Sequence, residues 1–169
     1  MTANSAAGLA ELVSIGDMTE HDLLEVVEIE ALSALSRWGW SAYYAELQGI
    51  NRSLMLVARL VRPPGQNRTQ QIAGYIVARR SAGELHINNV AVRDKYRRRG
   101  IGGALLGQIL EAGKRLDASV AFLELRAGNT SAQALYEKCG FTVMGRRRSY
   151  YSDPVEDALT MSAKLKEHA

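Results

Sequence analysis

Apolar residues recur along the chain in two spacings, and the switches between them lay out the fold. Leu12 to Ile15 is a short run that predicts a first strand. From Leu23 the spacing changes. Leu23, Leu24, Val27, Ile29 and Leu32 predict one face of a helix that runs to about residue 34. Asp17 and Thr19 offer N-caps ahead of it, with Glu20 placed after Asp17 as in a capping box. An aromatic stretch follows, Leu35-Ser36-Arg37-Trp38-Gly39-Trp40. Ser41 then caps a second short helix ending near Gly49.

Ser53 to Val61, Ile72 to Arg79 and Glu84 to Val92 are apolar and β-branched, so each predicts a strand. Turn residues stand between them, with Pro63, Pro64, Gly65, Gln66 and Asn67 in the first gap and Ser81-Ala82-Gly83 in the second. That spacing predicts an antiparallel meander. Gly100 opens a helix in which Ile101, Leu105 and Ile109 share a face with Leu106 and Leu110, ending near Asp117. Val120 to Leu125 is the next strand. Asn129 or Thr130 caps a helix to Cys139, and Gly140 stops it. Phe141 to Met144 and Asp157 to Leu165 predict two last strands, separated by Arg146 to Glu156. The order is β-α-α-β-β-β-α-β-α-β-β, a mixed α+β sheet with helices on both sides.

A chain of 169 residues, 47% hydrophobic and 23% charged, suits one domain with its own core. We expect a loose lead-in over residues 1–10 and a single domain over 11–165. The net charge of +3 is too small to argue for nucleic acid. The arginines are clustered, however, at 97–99 and 146–148, and each cluster makes a local field for anions. The one cysteine, Cys139, excludes an intrachain disulfide and fits a reducing cytoplasm. The sequence has no apolar run long enough for a transmembrane helix and no signal peptide at its start. His21, His86 and His168 lack metal-ligand spacing, so no metal is expected. No long apolar stripe demands a dimer, and a monomer is expected.

Two stretches change this picture by their chemistry. In Glu84 to Leu106 a strand feeds the basic turn Arg97-Arg98-Arg99 and a helix opened by Gly100, Gly102 and Gly103. The first N–H groups of a helix lack partners and carry partial positive charge, so such a junction binds phosphate. The glycines let an anion approach the backbone, and the arginines add charge beside it. In Val120 to Arg126 a carboxylate, Glu124, interrupts an apolar strand. Alternation puts Phe122 and Glu124 on one face and Leu123 and Leu125 on the other. Glu124 therefore points either to solvent or into a cleft.

Arg97-x-x-Gly100-x-Gly102, after Asn89-Val90-Ala91-Val92, resembles the acyl-CoA signature of the GNAT N-acetyltransferases. The resemblance implies the GNAT fold, a three-layer α/β/α arrangement whose mixed, mostly antiparallel sheet splays at its fourth and fifth strands to admit acetyl-CoA. It implies that the backbone of Val90, Ala91 and Val92 pairs with the pantetheine arm. Arg97, Arg98, Arg99, Gly100, Ile101, Gly102 and Gly103 would hold the pyrophosphate. Leu123-Glu124-Leu125-Arg126-Ala127-Gly128-Asn129 is similar to the L-E-V-R-A-S-N string of the RimI-type ribosomal-protein alanine N-acetyltransferases. There the Glu is the general base and the Asn contacts the CoA arm, which implies those roles for Glu124 and Asn129. Ala134-Leu135-Tyr136, followed by Gly140-Phe141, resembles the A-x-x-L-Y-x-x-x-G-F pattern and implies that Tyr136 is the general acid.

Arg146-Arg147-Arg148-Ser149-Tyr150-Tyr151 and Glu156-Asp157-Ala158 resemble the ending of the same group. Arg147, Tyr150 and Tyr151 would line an acceptor groove, together with Trp40 of a matching Trp-Ser pair. Gly39 stands where that group has Pro, and Gly128 where it has Ser. Trp38 is an additional aromatic. The resemblance therefore implies transfer of acetyl from acetyl-CoA to a protein N-terminus, the N-terminal alanine of a small-subunit ribosomal protein, by a cytoplasmic enzyme. Two rivals stand beside it. One is an acetyltransferase for a small-molecule amine, against which the arginine run at 146–148 tells. The other is a non-catalytic acetyl-CoA-binding module, against which Glu124 and Tyr136 tell.

Overall fold

The structure, a computed structural model, describes residues 8, 9, 12–33, 37–49, 53–62 and 70–166. The expected turn from Pro63 to Asn67 lies outside them, as do Leu35, Ser36, His168 and most of the N-terminal lead-in. Within that lead-in Gly8 and Leu9 are helical, and so is Leu12 just beyond it. Leu9 and Leu12, three apart, pack on the core.

Seven strands form one sheet: β1 (Val13–Asp17), β2 (Ser53–Leu60), β3 (Ile72–Ser81), β4 (Glu84–Val92), β5 (Val120–Arg126), β6 (Thr142–Ser152) and β7 (Val155–Lys164). Their spatial order is β1-β2-β3-β4-β5-β7-β6. Every neighbouring pair is antiparallel except β4 and β5. Helices α1 (Leu23–Ala31) and α2 (Trp40–Gln48) cover one face; α3 (Ile101–Arg115) and α4 (Thr130–Lys138) cover the other. Alternation along β2 shows why both faces are apolar. Met55 and Val57 meet α1 and α2, while Ala58 joins the core under α3. Residues 72–78 of β3 are buried without a break, as a strand covered on both faces requires.

The α3 face carries the predicted apolar set, since Ile101, Leu105, Leu106, Ile109 and Leu110 are all buried. Ala82 and Gly83 both take positive φ, 50° and 79°, the geometry of a two-residue hairpin that follows the strands' twist.

Four expectations need correction. In α1 the buried positions are Leu23, Val26, Ile29 and Glu30, whereas Leu24 and Leu32 are 78% and 71% exposed. Helical spacing puts Leu24 about 100° past Leu23 at one edge of the packed stripe and Leu32 about 60° past Ile29 at the other. The cap ahead of α1 is Thr19 with Asp22. The Asp22 carboxylate accepts from the Thr19 N–H at 2.7 Å and its hydroxyl at 3.1 Å. Gly39, not Ser41, precedes α2, and its φ of 78° is one that proline's ring cannot adopt. Finally, β6 does not stop at Met144. It continues through Arg146 to Ser152 and leaves only Asp153 and Pro154 between it and β7. It is the edge of the sheet, so charged residues pair there at little cost and the apolar period gives no signal.

Candidate active site

The site begins with an extra residue in β4. Val77 of β3 pairs with Asn89, but its neighbour Ala78 pairs with Ile87, so Asn88 bulges. The bulge reverses which residues face which layer. Leu85 and Ile87 lie in the core under α3, whereas Ala91 joins the cluster under α1 and α2. Ladder pairing with β5 covers only Glu84 to Ile87, opposite Val120 to Leu123. Beyond the bulge β4 follows β3 and leaves β5, which opens a gap in the middle of the sheet.

Buried polar contacts hold the freed half of β4. Asn89 donates from Nδ2 to the Tyr43 hydroxyl at 2.8 Å, and the Tyr43 and Tyr75 hydroxyls share a bond of 2.9 Å. Arg93 donates to the Ile72 carbonyl at 2.7 Å and pairs with Glu25 at 2.9 Å and Glu28 at 3.1 Å. The Arg93 N–H bonds Ala73 of β3 at 2.7 Å. Alternation then turns the peptide groups of Val90 and Val92 away from β3, into the gap.

The turn into α3 follows the freed half of β4 in the chain, and its Arg97 lies with Val92 on a second, smaller pocket beside α1. Arg97 is tied back to the Val92 carbonyl and to Asp94, both at 3.0 Å. Gly100 caps α3 with a φ of 82°, a left-handed conformation that glycine adopts freely. A Cβ on Gly102 would lie 3.2 Å from a Leu135 methyl of α4, a tight contact that the side chain would have to relieve, whereas one on Gly103 would meet Leu135 at an ordinary 3.7 Å. The Ile101 side chain is buried in the core.

A cleft of about 530 Å³ opens at the gap, with Val90, Glu124, Asn129, Tyr136, Arg147 and Tyr150 on its walls. Glu124 reaches it from the end of β5 and lies 3.3 Å from the Arg147 guanidinium. The same carboxylate acts on the nearby Tyr150 phenol and raises its pKa. Tyr136 projects from α4 with 8% of its surface exposed and its ring 6.0 Å from Phe141. Burial, with Tyr151 and Cys139 adding to it, pushes its phenol up to about 12. Asn129 accepts from the Ala132 N–H at 3.1 Å, so it caps α4 while lining the cleft.

Arginines accompany the other carboxylates expected near an acceptor. Glu156 accepts from the Gly128 N–H at 2.7 Å and pairs with Arg126 at 3.4 Å. Arg126 itself lies 4.3 Å over the Tyr151 ring. Asp157 pairs with Arg146 at 2.6 Å, and Glu46 pairs with Arg79. The Ser149 N–H, then Arg146, lowers the Asp157 pKa. Glu84 has His86 beside it at 2.8 Å, and His86 lies against Phe122 in the same cleft. Among the described residues no group of three or more His, Cys, Asp or Glu is placed to hold a metal.

Trp40 is not on the cleft wall. As the first residue of α2 it stacks on Tyr44 with ring centroids 4.8 Å apart. Trp38 lines the cleft instead. Its N–H and that of Gly39 are both held by Glu30, which is 1% exposed. Its ring meets Tyr43 at 5.4 Å and the Arg79 guanidinium at 5.4 Å. The sequence did carry a signal for Glu30. It falls seven residues after Leu23, on the buried stripe of α1.

Comparison with known proteins agrees with this geometry. The family model described as acetyltransferase (GNAT) family matches residues 23–141. The chain is 30% identical over 157 residues to the N-alpha-acetyltransferase RimI of Mycobacterium tuberculosis, covering 89% of this chain and 92% of that protein. It is 35% identical over 97 residues to the ribosomal protein bS18-alanine N-acetyltransferase of Escherichia coli, 56% of this chain and 66% of that one. The crystal structure of the ribosomal-protein-S18-alanine N-acetyltransferase from Escherichia coli superposes with a TM-score of 0.77 at 28% identity, covering 94% of this chain and 97% of that chain.

Proposed function

The chain belongs to the acetyltransferase (GNAT) family, and from that membership we propose that it is a protein Nα-acetyltransferase. It transfers acetyl from acetyl-CoA to the N-terminal amine of a protein, with the N-terminal alanine of ribosomal protein bS18 as acceptor. The observation that carries the reading is one cleft shared by a carboxylate, a buried phenol and an opened strand beside a helix N-terminus. The bS18-alanine N-acetyltransferase among its relatives supports the choice of acceptor.

In this reading the Val90 and Val92 peptide groups hold the pantetheine arm as an added strand would. The N-terminal turn of α3, with Arg98 and Arg99, takes the pyrophosphate. Glu124 accepts a proton from the α-amine, directly or through water, as its nitrogen attacks the thioester carbon. A backbone N–H in the gap polarises the carbonyl oxygen. As the carbon–sulfur bond breaks, Tyr136 donates to the leaving sulfur. A phenol near 12 and a free thiol near ~8.5 differ by roughly three to four units, so full transfer in water is uphill. The burial that raises the phenol also raises a thiolate's basicity in the same cleft, which narrows the difference. Tyr150 and Tyr151 would hold the acceptor backbone, with Arg147 beside them. Trp38 takes the wall position expected of Trp40.

The polyamine alternative is disfavoured by the Glu46–Arg79, Glu156–Arg126 and Asp157–Arg146 pairs, which leave those carboxylates already neutralised, so that Glu124 is left to receive a single ammonium. A mass-spectrometric assay tests the proposal. Acetyl-CoA is offered with an alanine-first bS18 peptide, a lysine peptide with a blocked N-terminus, and a polyamine. Acetylation confined to the free α-amine is expected. Acetylation of the polyamine alone would overturn the acceptor while keeping the chemistry.

A further inference from the structure

We propose that Arg147 sets the charge that the acceptor is allowed to carry: it admits one ammonium beside Glu124 and rejects a second cation close to it. The inference rests on the N-terminal acceptor reading above. Arg147 Nη2 lies 3.3 Å from Glu124 Oε1, and its guanidinium carbon stands 5.4 Å from the Tyr150 ring centroid. The Arg147 side chain is 59% exposed and that of Glu124 30%, so an arriving ammonium reaches the carboxylate from solvent. It then shares that carboxylate with a cation already in place.

Among the described residues, a second cation on the same acceptor residue finds no free counter-charge nearby. Glu156 is held by Arg126 and the Gly128 N–H, Asp157 by Arg146, and Glu46 by Arg79. Glu84 has only His86 beside it. It pairs with Val120, however, four positions before Glu124 on β5, or about 13 Å at strand spacing. A short side chain does not span that distance. The second cation therefore meets the Arg147 guanidinium uncompensated, in a cleft that screens it only in part. Like charges about 5 Å apart in such a site cost about tenfold or more in affinity.

The test uses two peptides that differ only in the first residue, 2-aminobutyrate or 2,4-diaminobutyrate, with an alanine-first peptide as reference. Their kcat/KM ratio is measured for the wild type, Arg147→Gln and Arg147→Lys. The wild type is expected to prefer the single amine. Arg147→Gln should shrink that preference by about tenfold, the size of the charge repulsion, and Arg147→Lys should keep most of it. A purely structural role for Arg147 lowers both peptides alike and leaves the ratio fixed. An unchanged ratio in Arg147→Gln, with the alanine peptide still acetylated, overturns the inference alone. Failure of the wild type to acetylate the alanine peptide overturns the N-terminal reading, and the inference with it.

Discussion

The Asn89 side-chain amide donates a 2.8 Å hydrogen bond to the Tyr43 hydroxyl, and this contact ties the free half of β4 to α2. Both residues are buried, and β4 has already parted from β5 at this level. The opening of the sheet is therefore held by a polar network under α1 and α2 rather than by strand pairing. Tyr43→Phe removes the acceptor and leaves the Asn89 amide buried without it. The expected loss is about 1–3 kcal/mol in urea unfolding, with a raised KM for acetyl-CoA. A variant of wild-type stability and KM would show that the network does not hold the gap.

Glu124 and Tyr136 make separable predictions. Glu124→Gln should lower kcat by about 10²-fold or more with little change in the KM for acetyl-CoA. Tyr136→Phe should also lower kcat, and its pH profile carries the sign. The donor is the neutral phenol, which is present below its pKa and lost only as pH rises through about 12. Wild-type kcat should thus show no descending limb from this group up to about pH 10. A limb near pH 9 that vanishes in Tyr136→Phe would contradict the raised pKa, and a Tyr136→Phe variant with wild-type kcat would contradict its role as the acid.

Asp22 governs acid stability. Burial alone would raise its carboxyl pKa, but Arg59, at 2.7 Å, and the Thr19 groups together hold it below the usual carboxylate value. A depressed folded pKa stabilises the fold above the unfolded value of about 3.9, and the contribution fades as pH falls through the folded value. Asp22→Asn should therefore cost stability at pH 7, about 1–3 kcal/mol, and the gap to wild type should close in acid. Urea midpoints that run parallel from neutral to low pH would refute this.

Gly74 tests the position of the gap from the other side. A Cβ there would stand 2.7 Å from the Ala91 carbonyl oxygen and 3.1 Å from Val92 Cγ2. The obstacle is backbone, so β4 must move. Gly74→Ala should cost about 1–3 kcal/mol and weaken acetyl-CoA binding through Ala91 and Val92. Gly107, in α3 with nothing within 4 Å of a Cβ, is the control. There alanine should be neutral or stabilising by up to about 1 kcal/mol. Equal thermal shifts in the two variants would count against the steric account.

What the sequence made legible was local. The apolar face of α3, the Asn129 cap and the β2–β3–β4 meander each depend on residues a few positions apart. The features it hid depend on partners far along the chain. Nothing near Asn88 marks the bulge that opens the sheet, because the shift exists only against β3. Arg146 to Ser152 reads as a linker until β7 pairs with it. Trp40 looked like the cleft aromatic because its neighbours match the RimI-type pattern. The choice of Trp38 was made by the buried Glu30 carboxylate eight residues earlier. Glu124 and Arg147, twenty-three positions apart in the chain, meet only when β7 pairs with β5 on one side and β6 on the other.

The most direct test of the central claim is a crystal structure with a bisubstrate compound that joins CoA to the α-nitrogen of an alanine-first peptide. The account predicts the pantetheine arm between β4 and β5 at Val90 and Val92, the sulfur beside the Tyr136 hydroxyl, and the α-nitrogen within one water of Glu124. Binding outside the gap, or an α-nitrogen remote from Glu124 with the peptide away from Tyr150 and Tyr151, would contradict it.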